Sequence, residues 1–221
     1  MFDNIASSYD FLNHFLSLGI DIIWRKRAVR EIAKINPQTI LDIATGTGDL
    51  AVEASILKPT KIIGIDISDG MLAVGRKKMQ LKGLDKMISM QNEDSENLSF
   101  DDESFDAITA GFGVRNFENL SKGLNEMYRV MKKGGKVAIL EPSEPNKFPF
   151  KQIYSLYFKT ILPFFGKLIS KDGAAYTYLP ASVSAFPSGK SFLKELEKAG
   201  FKKTEHIKLT FGVAALYTAT K

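Results

Sequence analysis

Two glycines set among acids, Asp42-Ile-Ala-Thr-Gly46-Thr47-Gly48-Asp49, are the residues of this chain best placed to hold a ligand by its polar groups. Glycine lets backbone N–H groups come close to a ligand, and a helix starting at such a turn points its N-terminus at it. Gly46, Gly48 and Ala51 fit a loose G-x-G-x-x-A pattern: turn, close backbone approach, close helix–strand packing. Asp66 ends the next apolar run, Lys61-Ile-Ile-Gly-Ile-Asp66, at the spacing where an acid accepts from ribose hydroxyls. The glycines alone would suit any strand–helix–strand turn. The whole order of strand, glycine turn, helix, strand and terminal acid points to a bound adenosine-type cofactor.

These residues need a scaffold, and the flanking sequence supplies one. Ile40–Ile43 reads as a buried parallel strand and Leu50–Leu57 as a helix; Ser68 or Asp69 caps a helix from about Met71 to Leu81, closed by Gly83. A third strand is expected near Met87–Gln91. A fourth, Phe105–Ala110, opens into Gly111-Phe-Gly-Val-Arg115-Asn116. A helix over Leu120–Lys132 stops at Gly134-Gly135, and a fifth strand, Lys136–Leu140, ends at Glu141-Pro142. This β-α rhythm, five times repeated, specifies a doubly wound parallel sheet. After a helix over Lys190–Ala199, His206–Phe211 and Val213–Thr220 flank a single glycine, so these last two strands must pair antiparallel. Asp101-Asp-Glu-Ser104 is a solvated turn without chemistry.

At 221 residues the chain fits one well-buried domain. Its 44% hydrophobic and 25% charged residues are those of a globular protein, and a net charge of +5 without an arginine-rich stripe does not suggest nucleic-acid binding. The absence of cysteine excludes disulfides and zinc–thiolate sites, and two distant histidines, His14 and His206, do not suggest a metal site. No charged-then-apolar leader opens the sequence, and no uncharged apolar run reaches the length of a membrane span.

Two segments stand apart. Residues 1–35 form an N-terminal helical arm, rich in aromatic and polar groups at its start, with Ile23, Ala28, Ile32 and Ile35 on one face of a helix over 22–35 that Pro37 ends. Residues 146–188 break the β-α rhythm as a substrate-cover insertion: seven of the chain's 24 aromatics fall within 148–169, interrupted by Lys151, Lys159 and Lys167. That stretch reads either as an apolar cover touching a membrane surface or as a cap packed on the sheet. The loop over 170–187 has the length of a lid.

The chain resembles the class I S-adenosylmethionine (SAM)-dependent methyltransferases through Leu41–Asp49, Gly64-Ile-Asp-Ile-Ser68 with Met71-Leu72, and Glu126–Gly135. More narrowly it resembles the ubiquinone/menaquinone biosynthesis C-methyltransferases. The motifs are Phe2-Asp-Asn-Ile-Ala-Ser-Ser-Tyr-Asp10, Gly111–Asn116, Glu141-Pro-Ser143, Ala175-Tyr176-Thr-Tyr-Leu179 with Phe186-Pro187, and Gly212-Val-Ala-Ala215, in order along nearly the whole chain. The resemblance implies one α/β domain over 1–221 with a Rossmann-like, seven-stranded, mostly parallel sheet, a C-terminal antiparallel hairpin and helices on both faces. It implies a SAM site formed by Asp42, Gly46, Thr47, Gly48, Asp66, Met71, Asp94, Ser95 and Gly111, the last at a position where the family often has serine. Arg115 and Asn116 are expected to face the substrate, with Asp10, His14 and Tyr176 as further catalytic candidates.

The activity so implied is C-methylation of a reduced polyprenyl quinone precursor, demethylmenaquinol or a ubiquinone-pathway benzoquinol. The localisation implied is cytoplasmic, with peripheral contact at the inner face of the membrane under the first reading of 148–169. No nucleic-acid partner is expected, and self-association is left open. Three alternatives remain: a class I methyltransferase of another small or lipid substrate, a non-catalytic SAM-binding scaffold, and a nicotinamide-dependent dehydrogenase. The last shares the glycine pattern and mimics its catalytic pair with Tyr128-x-x-x-Lys132. That pair abuts Gly134-Gly135 and reads better as the end of a helix. Asp42 and Asp49 beside the glycines suit a sulfonium and an amino group better than a pyrophosphate.

Overall fold

Strands that are apolar on both faces need helices above and below them, and that is how this chain is layered. The structure is a computed structural model that describes residues 17, 19–156 and 181–221. Its elements run α1 (Ile20–Ala33), β1 (Thr39–Ile43), α2 (Asp49–Ala54), β2 (Lys61–Asp66), α3 (Asp69–Leu81), β3 (Ile88–Asn92), β4 (Phe105–Gly111), α4 (Leu120–Val130), β5 (Met131–Pro142), α5 (Phe150–Leu156), α6 (Lys190–Lys198), β6 (Lys202–Leu209) and β7 (Ala214–Thr220). The seven strands lie in the order β3-β2-β1-β4-β5-β7-β6. The first five pair in parallel, and β7 runs antiparallel to both β5 and β6.

Neighbouring strand residues feed opposite cores. Ile40, Ile62, Ala107, Ala138 and Leu216 pack with Trp24, Ala28 and Ile32 of α1, Leu50 and Ala51 of α2, and Leu72 and Met79 of α3. Leu41, Ile63, Ile108, Val137 and Tyr217 pack with Leu124 and Met127 of α4 and Phe192 and Leu196 of α6. The order reverses between β1 and β4, and at such a point the connections leave in opposite directions and open a crevice beyond the strand ends.

Four sequence expectations are corrected. Helix α1 buries Trp24, Ala28, Val29 and Ile32, while Ile23 is 64% exposed. The Trp24 indole donates to the Thr210 hydroxyl at 2.7 Å, and buried Glu31 takes Lys136 of β5 at 3.1 Å. Those two anchors set the helix rotation. No helix joins β3 to β4, so the β-α repeat is broken once; residues 93–104 form a polar loop instead. Helix α4 ends at Val130, because buried Met131 already pairs with Phe105 before the chain loops out and rejoins β4 at Lys136. The final hairpin starts earlier than the glycine suggested, with a turn at Thr210–Gly212 whose three residues all have positive φ.

The first half of the N-terminal arm and residues 157–180 of the cover insertion lie outside the described residues. So do Asp10, His14 and Tyr176. Among the described residues no helix is long and apolar enough to cross a membrane.

Candidate active site

The crevice at the switch point is a cleft of about 400 Å³. Its walls come from the residues just after four strand ends: Ala44 and Gly46 after β1, Asp66 and Ile67 at β2, Asp94–Glu96 after β3, and Gly111–Gly113 with Asn116–Glu118 after β4. Met71 of α3 completes it. Asp66, Asp94, Glu96 and Glu118 put four carboxylates on the wall, and no lysine or arginine is among the described lining residues.

Asp66 holds the glycine turn in place. Its carboxylate accepts the Gly46 N–H at 2.8 Å and the Ser68 N–H at 2.9 Å, so one side chain fixes both the turn after β1 and the start of α3. Ser68, and not Asp69, caps α3 by accepting the Met71 N–H at 3.2 Å. Lys78 of α3 reaches back to the Thr47 hydroxyl at 3.0 Å and to Asp49 at 2.7 Å, clamping the far side of the turn.

The loop carrying Asp94, Ser95 and Glu96 has no regular structure of its own, and α4 pins it. Glu126 accepts the Leu98 N–H at 2.9 Å, and Arg129 donates to the carbonyls of Leu98 and Phe100 at 2.9 and 2.7 Å. The Arg129 guanidinium also pairs with Glu126 at 2.7 Å, which holds that carboxyl below the usual range. Across the cleft mouth Glu96 accepts the Asn119 N–H at 2.8 Å, tying the loop after β3 to the one after β4.

Ala44 and Phe112 both take left-handed backbone conformations, with φ of 50° and 61°. Each costs about 1–3 kcal/mol for a residue with a side chain, and such strain gathers at functional sites. Gly113 explains part of the need: a Cβ there would sit 2.3 Å from the Ala44 Cβ, so the two turns approach as closely as glycine permits. The Phe112 ring leans on Trp24 with centroids 6.1 Å apart.

A smaller cavity of about 40 Å³ adjoins the cleft and shares Ala44, Gly46, Gly111 and Phe112 with it; Arg25, Asp42, Thr47 and Asp49 also line it. Asp42 is fully buried and accepts the hydroxyls of Thr45 and Thr109 at 2.5 and 2.6 Å; burial nevertheless pushes its carboxyl up to about 6.

The structure therefore brings Gly46, Asp66, Met71, Asp94, Ser95, Gly111 and Asn116 together on the cleft, and sets Asp42 and Thr47 on the small cavity. Two of the expected residues lie off both spaces. Gly48 faces neither space: a Cβ there would meet Met79 Cε at 2.5 Å, so its lack of a side chain serves the packing of α3. The Arg115 guanidinium is not on the cleft wall. Its side chain is 8% exposed and pairs with fully buried Glu141 at 3.1 Å, while it also contacts the Phe112 carbonyl and the Ser182 hydroxyl. Burial raises the Glu141 carboxyl above its usual range even with that cation beside it.

Sequence reasoning missed Ile67, Glu96, Phe117, Glu118 and Arg25. Ile67 carried a signal, an isoleucine directly after the strand-ending acid, and it is 71% exposed at the cleft. Arg25 carried none, being one of five basic residues in a helical stretch.

A seven-stranded sheet in this order, closed by an antiparallel hairpin, is the fold of the class I SAM-dependent methyltransferases. A solved SAM-dependent methyltransferase from Aquifex aeolicus shares the fold, with a TM-score of 0.62 and 19% identity, over 86% of this chain and 88% of that one. The chain belongs to the ubiE/COQ5 methyltransferase family, whose model matches residues 1–221. It is 52% identical to the demethylmenaquinone methyltransferase of Bacteroides fragilis, over all of this chain and 91% of that protein. It is 48% identical to the ubiquinone/menaquinone biosynthesis C-methyltransferase UbiE of Geotalea daltonii, over all of this chain and 94% of that one.

Proposed function

We propose that this protein is a SAM-dependent C-methyltransferase acting on a reduced polyprenyl quinone precursor, demethylmenaquinol first among them. The observation that carries the cofactor is the cleft itself. Four carboxylates line it with no cation among the described lining residues, and Asp66 braces the glycine turn. A nucleoside bearing a positive sulfur is welcome there, and a volume of about 400 Å³ lies within the range of small-molecule sites. The quinone substrate is supported by whole-length similarity to a demethylmenaquinone methyltransferase.

Asp66 offers its carboxylate to the ribose hydroxyls, Ile67 its apolar surface to one face of the adenine, and the loop at Asp94-Ser95 its polar groups to the base edge. When bound, SAM supplies an electrophilic methyl group on a cationic sulfur. The quinol contributes the electrons: once a ring hydroxyl loses its proton, the adjacent ring carbon is nucleophilic, and that carbon forms the new C–C bond and then sheds its own proton. Alignment of two reactants in one cleft is the protein's largest lever, worth roughly 7–11 kcal/mol when geometry is good. Asn116, on the cleft wall, is the described residue offered to the quinol head. Arg115 acts behind it, fixing the turn after β4 through Glu141.

A lipid-soluble substrate also calls for a route from the bilayer. Phe148, Leu156 and Phe211 are 81%, 63% and 68% exposed, and Phe150 stacks on Phe211 with centroids 3.9 Å apart. Lys147 and Lys151 lie in the same stretch, so this edge suits peripheral contact with anionic lipid.

The test uses purified protein with SAM and anaerobically reduced demethylmenaquinone in anionic vesicles, followed by mass spectrometry. The expected product is the quinone one methyl group heavier, with the methyl on carbon. No methylated quinone, with either a naphthoquinol or a benzoquinol offered, overturns the substrate. A methyl found on oxygen overturns the reaction type.

A further inference from the structure

Resting on the reading of Asn116 as the residue offered to the quinol, we propose that Ser182 is a positioning residue for methyl transfer: through Arg115 it fixes the turn after β4 that carries Asn116. The insertion that the sequence marks as a substrate cover leaves the sheet just after β5 and returns through residues 181–189. Arg115 meets the chain on either side of it. Its Nη1 donates to Glu141, one residue before the end of β5, at 3.1 Å, and its Nε donates to the Ser182 hydroxyl at 3.3 Å.

What these contacts fix is the cleft turn. Phe112, in its left-handed conformation, is held from both sides: its N–H donates to the Leu140 carbonyl at 2.7 Å, and its own carbonyl accepts from Arg115 Nη1. The single helical turn that follows, Val114–Asn116, leaves its first N–H groups without partners of its own. Glu141 supplies them, accepting the Arg115 N–H at 3.2 Å and that of Val114 as well. Asn116 closes the turn by donating its N–H to the Gly113 carbonyl at 3.0 Å. Phe112, Gly113 and Asn116, which all line the cleft, therefore take their places from one buried carboxylate and one guanidinium.

Ser182 decides how that guanidinium is turned. Glu141 and Phe112 both hold Nη1, and a planar group held at one nitrogen can still rotate about it. A contact at a second nitrogen, Nε, sets its plane. The returning segment does not need this bond to stay in place. Val183 and Phe186 are buried, the Phe186 ring packs on Phe192 with centroids 4.9 Å apart, and the Gly189 N–H donates to the Tyr217 hydroxyl at 2.8 Å. The cofactor side of the cleft has separate braces in Asp66, Lys78, Glu126 and Arg129. A change at Ser182 thus reaches the substrate side and spares the cofactor side.

Steady-state turnover of SAM and reduced demethylmenaquinone in vesicles, with calorimetry on S-adenosylhomocysteine, tests this in the full chain. In Ser182→Ala, kcat is expected to fall about tenfold or more, while KM for the quinol and S-adenosylhomocysteine affinity stay within about twofold, because a slightly misplaced turn costs rate before it costs binding. Ser182→Thr keeps the hydroxyl and is expected to retain at least about half of the turnover. Arg115→Lys leaves Glu141 a cation but removes the Nε donor, and in that background Ser182→Ala is expected to change kcat by less than about twofold. Unchanged kcat in Ser182→Ala, a fall matched by an equal loss of S-adenosylhomocysteine affinity, a Ser182→Thr as slow as Ser182→Ala, or a full effect in the Arg115→Lys background overturns the proposal and leaves the proposed activity standing. A Ser182→Ala chain that does not fold makes the residue one of stability and overturns it too. An unmodified protein that methylates no quinol overturns the proposed activity, and this proposal with it.

Discussion

Replacing Asp66 by alanine separates two tasks of one carboxylate. The first is architectural: Asp66 accepts the Gly46 N–H at 2.8 Å and the Ser68 N–H at 2.9 Å, joining the glycine turn to the start of α3. Both are charge-assisted bonds, but the carboxylate is only half-buried and the freed amides regain water at the cleft, so their joint loss costs about 1–3 kcal/mol. In a chain of this size the melting temperature falls by about 2–4 °C for each kcal/mol. The second task is recognition. A carboxylate accepts at about four sites, so one side chain can serve backbone and ligand donors together. Removing its bonds to ribose hydroxyls costs a further 1.5–3 kcal/mol or so, roughly ten- to 150-fold in affinity. Thermal melts and calorimetry with S-adenosylhomocysteine on the same preparation read the two effects separately. A melting temperature lowered as expected, with S-adenosylhomocysteine affinity unchanged, would refute the ribose assignment and leave Asp66 a brace for the turn.

Two further outcomes follow from the buried charges. Arg115→Ala leaves the fully buried Glu141 carboxylate without its cation and should cost about 3–5 kcal/mol in chemical denaturation, most of it recovered in Arg115→Ala/Glu141→Gln; a double variant no more stable than the single one would sink this account. Asp42 holds its proton more tightly folded, near pH 6, than unfolded, so its stabilising share is complete below about pH 4 and is lost as pH rises through 6. Asp106 is opposite. Hydrogen bonds from Lys132, Thr39 and Gln38 outweigh its burial and hold it at about 2, so its share is present above about pH 4 and lost as pH falls through 2. Asp42→Asn should therefore flatten the stability profile between about pH 4 and pH 7 and leave the acid limb in place, and an unaltered profile over pH 4–7 would show that Asp42 titrates elsewhere.

What the sequence made legible was whatever depends on neighbours along the chain. The glycine turn, the strand ending at Asp66, the cap at Ser68 and the antiparallel finish are each written in a few consecutive residues, and each is present. The placement of Arg115 was illegible for the opposite reason. A motif places it one residue before Asn116, but only the pairing of β4 with β5 puts Glu141 within reach, and a buried carboxylate takes the guanidinium away from the cleft. The packing role of Gly48 was illegible likewise, since its missing side chain makes room for Met79, 31 positions further on. The rotation of α1 was misjudged because hydrophobicity alone put Ile23 on the buried face, although it stands nine residues and so about half a turn around the helix from Ile32, whereas Trp24, Ala28 and Ile32 recur every four. The partners of Trp24 and Glu31, on the hairpin and β5, hold that second face inward.

The dehydrogenase alternative shows how three dimensions settle what a shared motif leaves open. Tyr128 packs edge-on against Phe201 with centroids 5.3 Å apart, and the Lys221 ammonium lies 4.7 Å above its ring. Lys132 pairs with Asp106 at 2.9 Å, at the start of β4 and so at the opposite edge of the sheet from the cleft. Neither residue lines the cleft. The cleft's charge argues in the same direction. At about 6 Å and an effective dielectric of about 20, each like-charge pair costs about 3 kcal/mol. A pyrophosphate entering a space lined by Asp66, Asp94, Glu96 and Glu118 meets several such terms with no described cation on the wall to offset them. The same carboxylates attract a sulfonium. A glycine pattern common to two cofactor classes thus becomes specific through the acids that the ends of β2 and β3 and the loop after β4 bring around it.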